Sequence, residues 1–176
     1  MINLEIKLPV DDLDEIRRRA LAAGAVPSGV LQQTDTFFAA TRGLLKLRVL
    51  GDGSAELIAY ERPRTAASRI SDYIVCPVSD PARLHEVLSR SHGRLVEVRK
   101  TRDLLMLGGT RIHLDRVEGL GTFVELETEG DSRDEAAMRA EHERVIEALG
   151  LDRGRFLAGS YAEMLMEKGG GDPGGR

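Results

Sequence analysis

The sequence predicts an α+β fold: an antiparallel sheet of roughly eight strands with three or four helices outside it. Three observations predict it. Alternation of period two recurs along the chain, and in stretch after stretch one face is aliphatic while the other is dense in charge. Asp52-Gly53 and the Gly119 to Gly121 segment mark tight turns between such stretches. Three windows change to helical spacing, and Gly24, Gly93 and Gly150 stand where they end.

Taken in order, Met1 to Val10 alternates Ile2, Leu4, Ile6 and Leu8 against Asn3, Glu5 and Lys7, a first strand with a polar face. From Asp11 to Ala23 the period is helical through Leu13, Ile16, Ala20 and Leu21, with acids early and Arg17, Arg18 and Arg19 later, as the helix dipole favours. The arginine triplet reads as a solvated helix face. Gln32 to Phe38 is a strand or extended segment. Leu44 to Leu50 is a strand with Lys46 and Arg48 on one face. It returns as Ala55 to Glu61, with Ala59 and Glu61 on one side and Ile58 and Tyr60 on the other.

A loop over Arg62 to Ala67 precedes a strand over Arg69 to Val78. Pro81 to Ser91 is a short amphipathic helix, and Leu95 to Leu107 is a strand pair or one long bent strand. The stretch from Arg111 to Glu129 reads as a hairpin. Arg111, His113 and Asp115 share one side, Glu125 and Glu127 share one side of the next strand, and Ile112, Leu114, Val124 and Leu126 point the other way. Asp131 to Leu149 is the longest helix, capped by Asp131 or Ser132. Ser160 to Glu167 is a last helical turn or two. One domain is expected over residues 1–168, followed by a disordered Gly-rich tail at 169–176.

Composition narrows the function classes. With 41% apolar residues, 31% charged residues and a net charge of −4, the chain reads as a soluble globular protein and not a general binder of nucleic-acid polymers. Any anion site must be local. A single cysteine, Cys76, excludes an intramolecular disulfide and a Cys-based zinc site, and its neighbours Val75, Pro77 and Val78 suggest a packed thiol. No apolar run approaches the roughly 20 residues of a membrane span and no signal-peptide pattern is present, so a cytoplasmic protein without a membrane partner is expected.

Two architectures fit the pattern. Strands with one aliphatic face under helices and one charged face turned elsewhere describe a barrel with a polar lumen; they equally describe a sandwich whose charged faces meet water. The motifs N-L-E-I-K, Q-x-D-T-F-F, L-x-L-R, A-Y-E-R-P, V-x-K-x-R, L-D-x-V-x-G-L-G-x-F-V-E-L-E and S-Y-A-E-M-L, in that order from residue 3 to about residue 166, resemble the CYTH, or triphosphate tunnel metalloenzyme, superfamily. That group includes class IV adenylate cyclases, thiamine triphosphatases and inorganic or RNA triphosphatases. The resemblance implies an eight-stranded antiparallel β-barrel, a triphosphate tunnel with helices packed outside, that binds a phosphorylated small molecule with Mg²⁺ or Mn²⁺.

Carried over by position, the resemblance makes Lys7 the lysine of an E-x-E-x-K motif, Lys46 and Arg48 a basic pair, and Lys100 and Arg102 a second one, with Arg69 a looser match. Substrate binding is expected at Lys7, Lys46, Arg48, Arg69, Lys100 and Arg102, with Lys7, Arg48 and Lys100 closest to the chemistry. Metal is expected at Glu5, Asp115, Glu125 and Glu127. Arginine forks match phosphate oxygens, lysine supplies a point charge, and hard divalent ions take carboxylate oxygens. His113 is the one residue that could add acid-base chemistry, against the plainer reading of a histidine packed on the barrel wall.

Two residues depart from the family pattern. Asn3 stands where a first glutamate is expected, and Glu61 stands where a lysine points into the tunnel. At 4 Å each unit charge pair is worth about 1 kcal/mol in water and about 4 kcal/mol at an effective dielectric of 20, so an inward Glu61 would cost triphosphate affinity heavily. Three functions are carried forward: a divalent-metal-dependent phosphohydrolase, with class IV cyclase chemistry as its variant; a tunnel that binds a phosphorylated ligand without turnover; and a tunnel remodelled for other chemistry. Monomer and homodimer are both left open.

Overall fold

A computed structural model gives the structure, describing residues 2–61, 72–130 and 135–169. The strands are β1 (Ile2–Pro9), β2 (Val26–Phe38), β3 (Leu44–Leu50), β4 (Ala55–Glu61), β5 (Asp72–Pro77), β6 (Arg94–Leu107), β7 (Thr110–Val117) and β8 (Gly121–Gly130). They form one antiparallel sheet in the order β1-β8-β7-β6-β2-β3-β4-β5. The helices are α1 (Leu13–Ala22), α2 (Pro81–His92), α3 (Glu135–Leu149) and α4 (Tyr161–Gly169).

The helices decide which strand face is inside. The Asp12 carboxylate caps α1 by accepting the Glu15 N–H at 2.9 Å, and Gly24, at φ 93°, ends the helix in a conformation that costs other residues strain. The α1 stripe of Leu13, Ile16 and Ala20 packs with Val145, Ile146 and Leu149 of α3 onto Leu8, Ile112, Leu114, Val124 and Leu126. Each fully buried aliphatic side chain contributes about 1.5–3 kcal/mol, so this layer fixes the opposite parity of β1, β7 and β8 on the concave side. Leu88 of α2 covers Phe38, Leu47 and Ala55. Tyr161 and Ala162 of α4 lie across one end, against Phe37, Val98, Val117 and Phe123.

The sheet curls until all eight strands line one lumen of about 520 Å³. This is the tunnel and not the sandwich. Its two end strands, β1 and β5, share no backbone register among the described residues, so the cylinder is not sealed by hydrogen bonds there.

Several elements differ from their expected form. β2 begins at Val26, six residues before the predicted start, because Pro27 and Gly29 are absorbed as a register shift against β6, with Gly29 at φ 115°. β6 is one 14-residue strand. Cys76 is exposed, not packed: alternation on the end strand β5 turns it outward with Ile74, which is 71% exposed, while Val75 turns to the lumen. The expected loop from Arg62, the start of the strand at Arg69, the caps Asp131 and Ser132, and tail residues 170–176 lie outside the described residues. Among those described, no helix is long and apolar enough to cross a membrane.

Candidate active site

One wall of the lumen is cationic. Register places Arg48 of β3 opposite Asp35 of β2. Arg48 donates Nε and Nη2 to the two Asp35 oxygens, both at 2.8 Å, and Lys46 donates Nζ to Oδ2 at 2.9 Å. Burial would raise the Asp35 carboxyl, but Lys46 and the Arg48 fork outweigh it and hold it well below the usual carboxylate range. Burial pulls the Lys46 ammonium down, with Asp35 opposing.

On β6, Arg102 forks the carboxylate of Asp115 with two hydrogen bonds of 2.7 Å and reaches Glu125 Oε1 at 3.2 Å. The Lys100 ammonium is 3.6 Å from Asp115 Oδ2. Burial, with Arg102 beside it, brings Lys100 down to about 8.

The facing wall, from β1, β7 and β8, is rich in carboxylates. Register pairs Glu5 with Glu127 and Lys7 with Glu125. Lys7 Nζ lies 3.0 Å from Glu125 Oε2 and 3.4 Å from Glu5 Oε1. His113 Nδ1 is 3.2 Å from Glu125 Oε1. Arg111 reaches Glu127 at 3.3 Å and pairs with Glu129. Burial alone would raise Glu125, yet Lys7, Arg102, the His113 hydrogen bond and Lys100 hold it well below its ordinary value. Burial and the Glu125 charge push Glu127 up.

This wall fits a hard divalent cation. His113, Glu125 and Glu127 offer ligand atoms within 4.8 Å of one another. Asn3 lines the same lumen, and its Oδ1 is buried with no hydrogen-bond partner. An unsatisfied buried carbonyl oxygen beside carboxylates is an oxygen-rich donor set. Of the four expected metal residues, the structure brings Glu5, Glu125 and Glu127 together and sets Asp115 apart. Asp115 is fully buried, and its oxygens are occupied by Arg102 and by the Tyr161 hydroxyl, which donates to Oδ2 at 3.0 Å.

Lys7, Lys46, Arg48, Lys100, Arg102 and His113 all line the one lumen. Arg69 lies outside the described residues. The expectation for Glu61 falls on a side chain outside the described ones; of β4, Glu56 and Ile58 line the cavity. Sequence reasoning gave no role to Asp35, Glu56, Arg111, Glu129 or Tyr161. Arg111 had a signal, since it shares parity with His113. Asp35 had a weaker one, two residues from Gln33 in a strand that otherwise ends in aromatics. Tyr161 had only its place in the S-Y-A-E-M-L motif, because a helix outside the sheet delivers it.

Fold and site together define an antiparallel tunnel protein whose lumen sets a cationic wall against a carboxylate wall. The chain belongs to the CYTH domain family, whose family model matches residues 1–161. A Methanocaldococcus jannaschii protein whose name proposes an adenylate cyclase is 23% identical over 172 residues, covering 93% of this chain and 98% of its own. The structure of the PH1012 protein of Pyrococcus horikoshii superposes with a TM-score of 0.82 at 24% identity, covering 92% of this chain and 98% of that one. HpAC1 of Hippeastrum, an adenylyl cyclase candidate described as having a dominant triphosphatase activity, matches with a TM-score of 0.66 at 17% identity over 96% of this chain and 95% of its own.

Proposed function

We propose that the chain is a divalent-metal-dependent phosphohydrolase acting on a nucleoside or other organic triphosphate. The observation that carries this reading is the division of one lumen into facing walls. Lys46, Arg48, Lys100 and Arg102 stand on β3 and β6, and Glu5, Glu125 and Glu127 stand on β1 and β8. Counted over the described lining, six cations meet six carboxylates, so the lumen has no excess positive charge with which to draw in a polyanion. A cation on the acidic wall supplies that excess.

Glu127, Glu5, Glu125, His113 and the Asn3 amide oxygen are the groups that would hold Mg²⁺ or Mn²⁺. When bound, such an ion neutralises phosphate charge and lowers the pKa of a coordinated water. The chain's own residues supply the rest. Arg48 and Arg102 present forks, while Lys7, Lys46 and Lys100 present point charges along the path of the phosphates. His113 is oriented beside that path by the contact of its Nδ1 with Glu125 Oε1 at 3.2 Å.

Hydrolysis is favoured over cyclisation by the lining. Its two aromatic residues among those described, Phe37 and Tyr161, each lie beneath a lysine ammonium, at 5.6 Å from Lys46 and 4.4 Å from Lys7, and are not free to stack on a base. Incubation with ATP, thiamine triphosphate or tripolyphosphate and Mg²⁺ or Mn²⁺ tests the reading. Metal-dependent phosphate or pyrophosphate release is expected from at least one of them. Cyclic AMP with pyrophosphate would favour the cyclase variant, and tight binding without product would favour a binding tunnel.

A further inference from the structure

Lys7 and Lys100 stand on strands β1 and β6, which are separated in the sheet by β8 and β7. No register fixes the distance between them. Both ammonium groups nevertheless lie over one ring, that of Tyr161, at 4.4 and 5.1 Å from its centroid. Both distances fall within the range of about 6 Å in which a cation is attracted to an aromatic face.

We propose that Tyr161 is a positioning residue for phosphate binding: its ring is a shared platform for the two lysines, and its hydroxyl holds Asp115 in place. The proposal rests on the reading that these lysines contact phosphate. The ring is itself rigidly held. Phe123 meets it edge-on at 5.0 Å. Ser160 and Glu163 cap the helix reciprocally, Glu163 accepting the Ser160 N–H at 2.7 Å and Ser160 Oγ accepting the Glu163 N–H at 3.2 Å. The far end of α4 is tied down where Lys168 donates to the Gly119 carbonyl at 2.6 Å. Burial, with Glu125 and Asp115 nearby, pushes the Tyr161 hydroxyl far up, so it stays protonated and donates to Asp115. The helix outside the sheet thus sets the spacing of two cations that the sheet leaves undetermined.

The test compares Tyr161→Phe with Tyr161→Leu. Tripolyphosphate affinity in the presence of Mg²⁺ is read by calorimetry, and the lysine side-chain methylene shifts are read by NMR. The Phe variant is expected to keep affinity within about threefold and to keep the ring-shifted lysine signals, whereas the Leu variant loses on the order of tenfold in affinity together with those signals. A folded Leu variant with wild-type affinity or unmoved lysine signals overturns the proposal. Should the Leu variant fail to fold, phenylalanines of increasing fluorination at position 161 keep the shape while weakening the ring face; affinity falling stepwise supports the platform, and a flat series overturns it. If the wild-type protein does not bind tripolyphosphate at all, the phosphate reading falls by itself, and the NMR signals still decide whether the lysines share the ring.

Discussion

Glu125 and Glu127 stand two residues apart on one strand and face one lumen, yet they titrate in opposite directions. Burial would raise both. The difference is in the cations within reach: Glu125 has Lys7, Arg102 and Lys100 around it and a hydrogen bond to His113, whereas Glu127 has the charge of Glu125 beside it and Arg111 at 3.3 Å. The same contrast separates the two walls. On the cationic side one carboxylate, Asp35, serves two cations and leaves that wall positive. On the acidic side Glu127 is the carboxylate with least internal compensation, and so the one with most to gain from an added cation. Crowded like charges are therefore informative about function only after the counter-charges have been counted.

Breaking an internal pair should have the largest effect. Arg102→Ala leaves fully buried Asp115 without its fork and is expected to lower unfolding free energy by about 3–5 kcal/mol in urea titrations. An Arg102→Met/Asp115→Leu double variant should recover part of that loss: it removes the orphaned charge but leaves the Tyr161 hydroxyl without its acceptor. Next, Arg48→Lys keeps the charge but removes the fork; kcat/KM for triphosphate release is expected to fall on the order of tenfold to a hundredfold, with the melting temperature little changed.

Glu127→Gln sharpens the contrast within β8. It should raise the Mn²⁺ concentration needed for half-maximal activity by about tenfold or more without destabilising the fold, while Glu125→Gln should destabilise the fold by stranding Lys7 and Arg102. A Glu125→Gln variant as stable as Glu127→Gln would end the contrast.

The pH response follows from the same groups. Asp35, Asp115 and Glu125 have folded pKa values below their ordinary ones, so the stability they contribute is complete above the ordinary carboxylate range and is lost as pH falls through the folded values. Glu127 is raised and acts oppositely, its unfolded form losing the proton first, so stability declines as pH rises past 4.5. Melting temperature should therefore drop steeply on acidification, and less steeply in Asp35→Asn. At the alkaline end Lys100 sheds its proton near 8 in the free protein, and kcat/KM should decline above that pH, an effect Lys100→Arg removes. The smallest effect concerns the outer layer: Arg19 donates to the Leu149 carbonyl at the end of α3, and Arg19→Ala is expected to cost about 1 kcal/mol in thermal unfolding.

Much of this arrangement was legible beforehand. Glu5 and Lys7, Lys46 and Arg48, Lys100 and Arg102, and Glu125 and Glu127 are each two residues apart, which in a strand places both members on one face. The aliphatic partners on the other parity show where helices must pack. Less legible were features that depend on pairing across the sheet. Pro27 and Gly29 precede the expected strand start at Gln32 and yet flank a bulge within the strand. Cys76 sits among apolar residues in sequence and is exposed because β5 is the last strand of the sheet.

Alternation is a property of the chain alone, so the inward and outward faces, many of the lumen charges and the positions of most turns could be read without coordinates. Distances between strands that are not neighbours are a property of how far the sheet curls and of what packs across its end. For that reason the Asp35 clamp, the seclusion of Asp115 behind Arg102, and the meeting of Lys7 and Lys100 over Tyr161 emerged only from the folded chain.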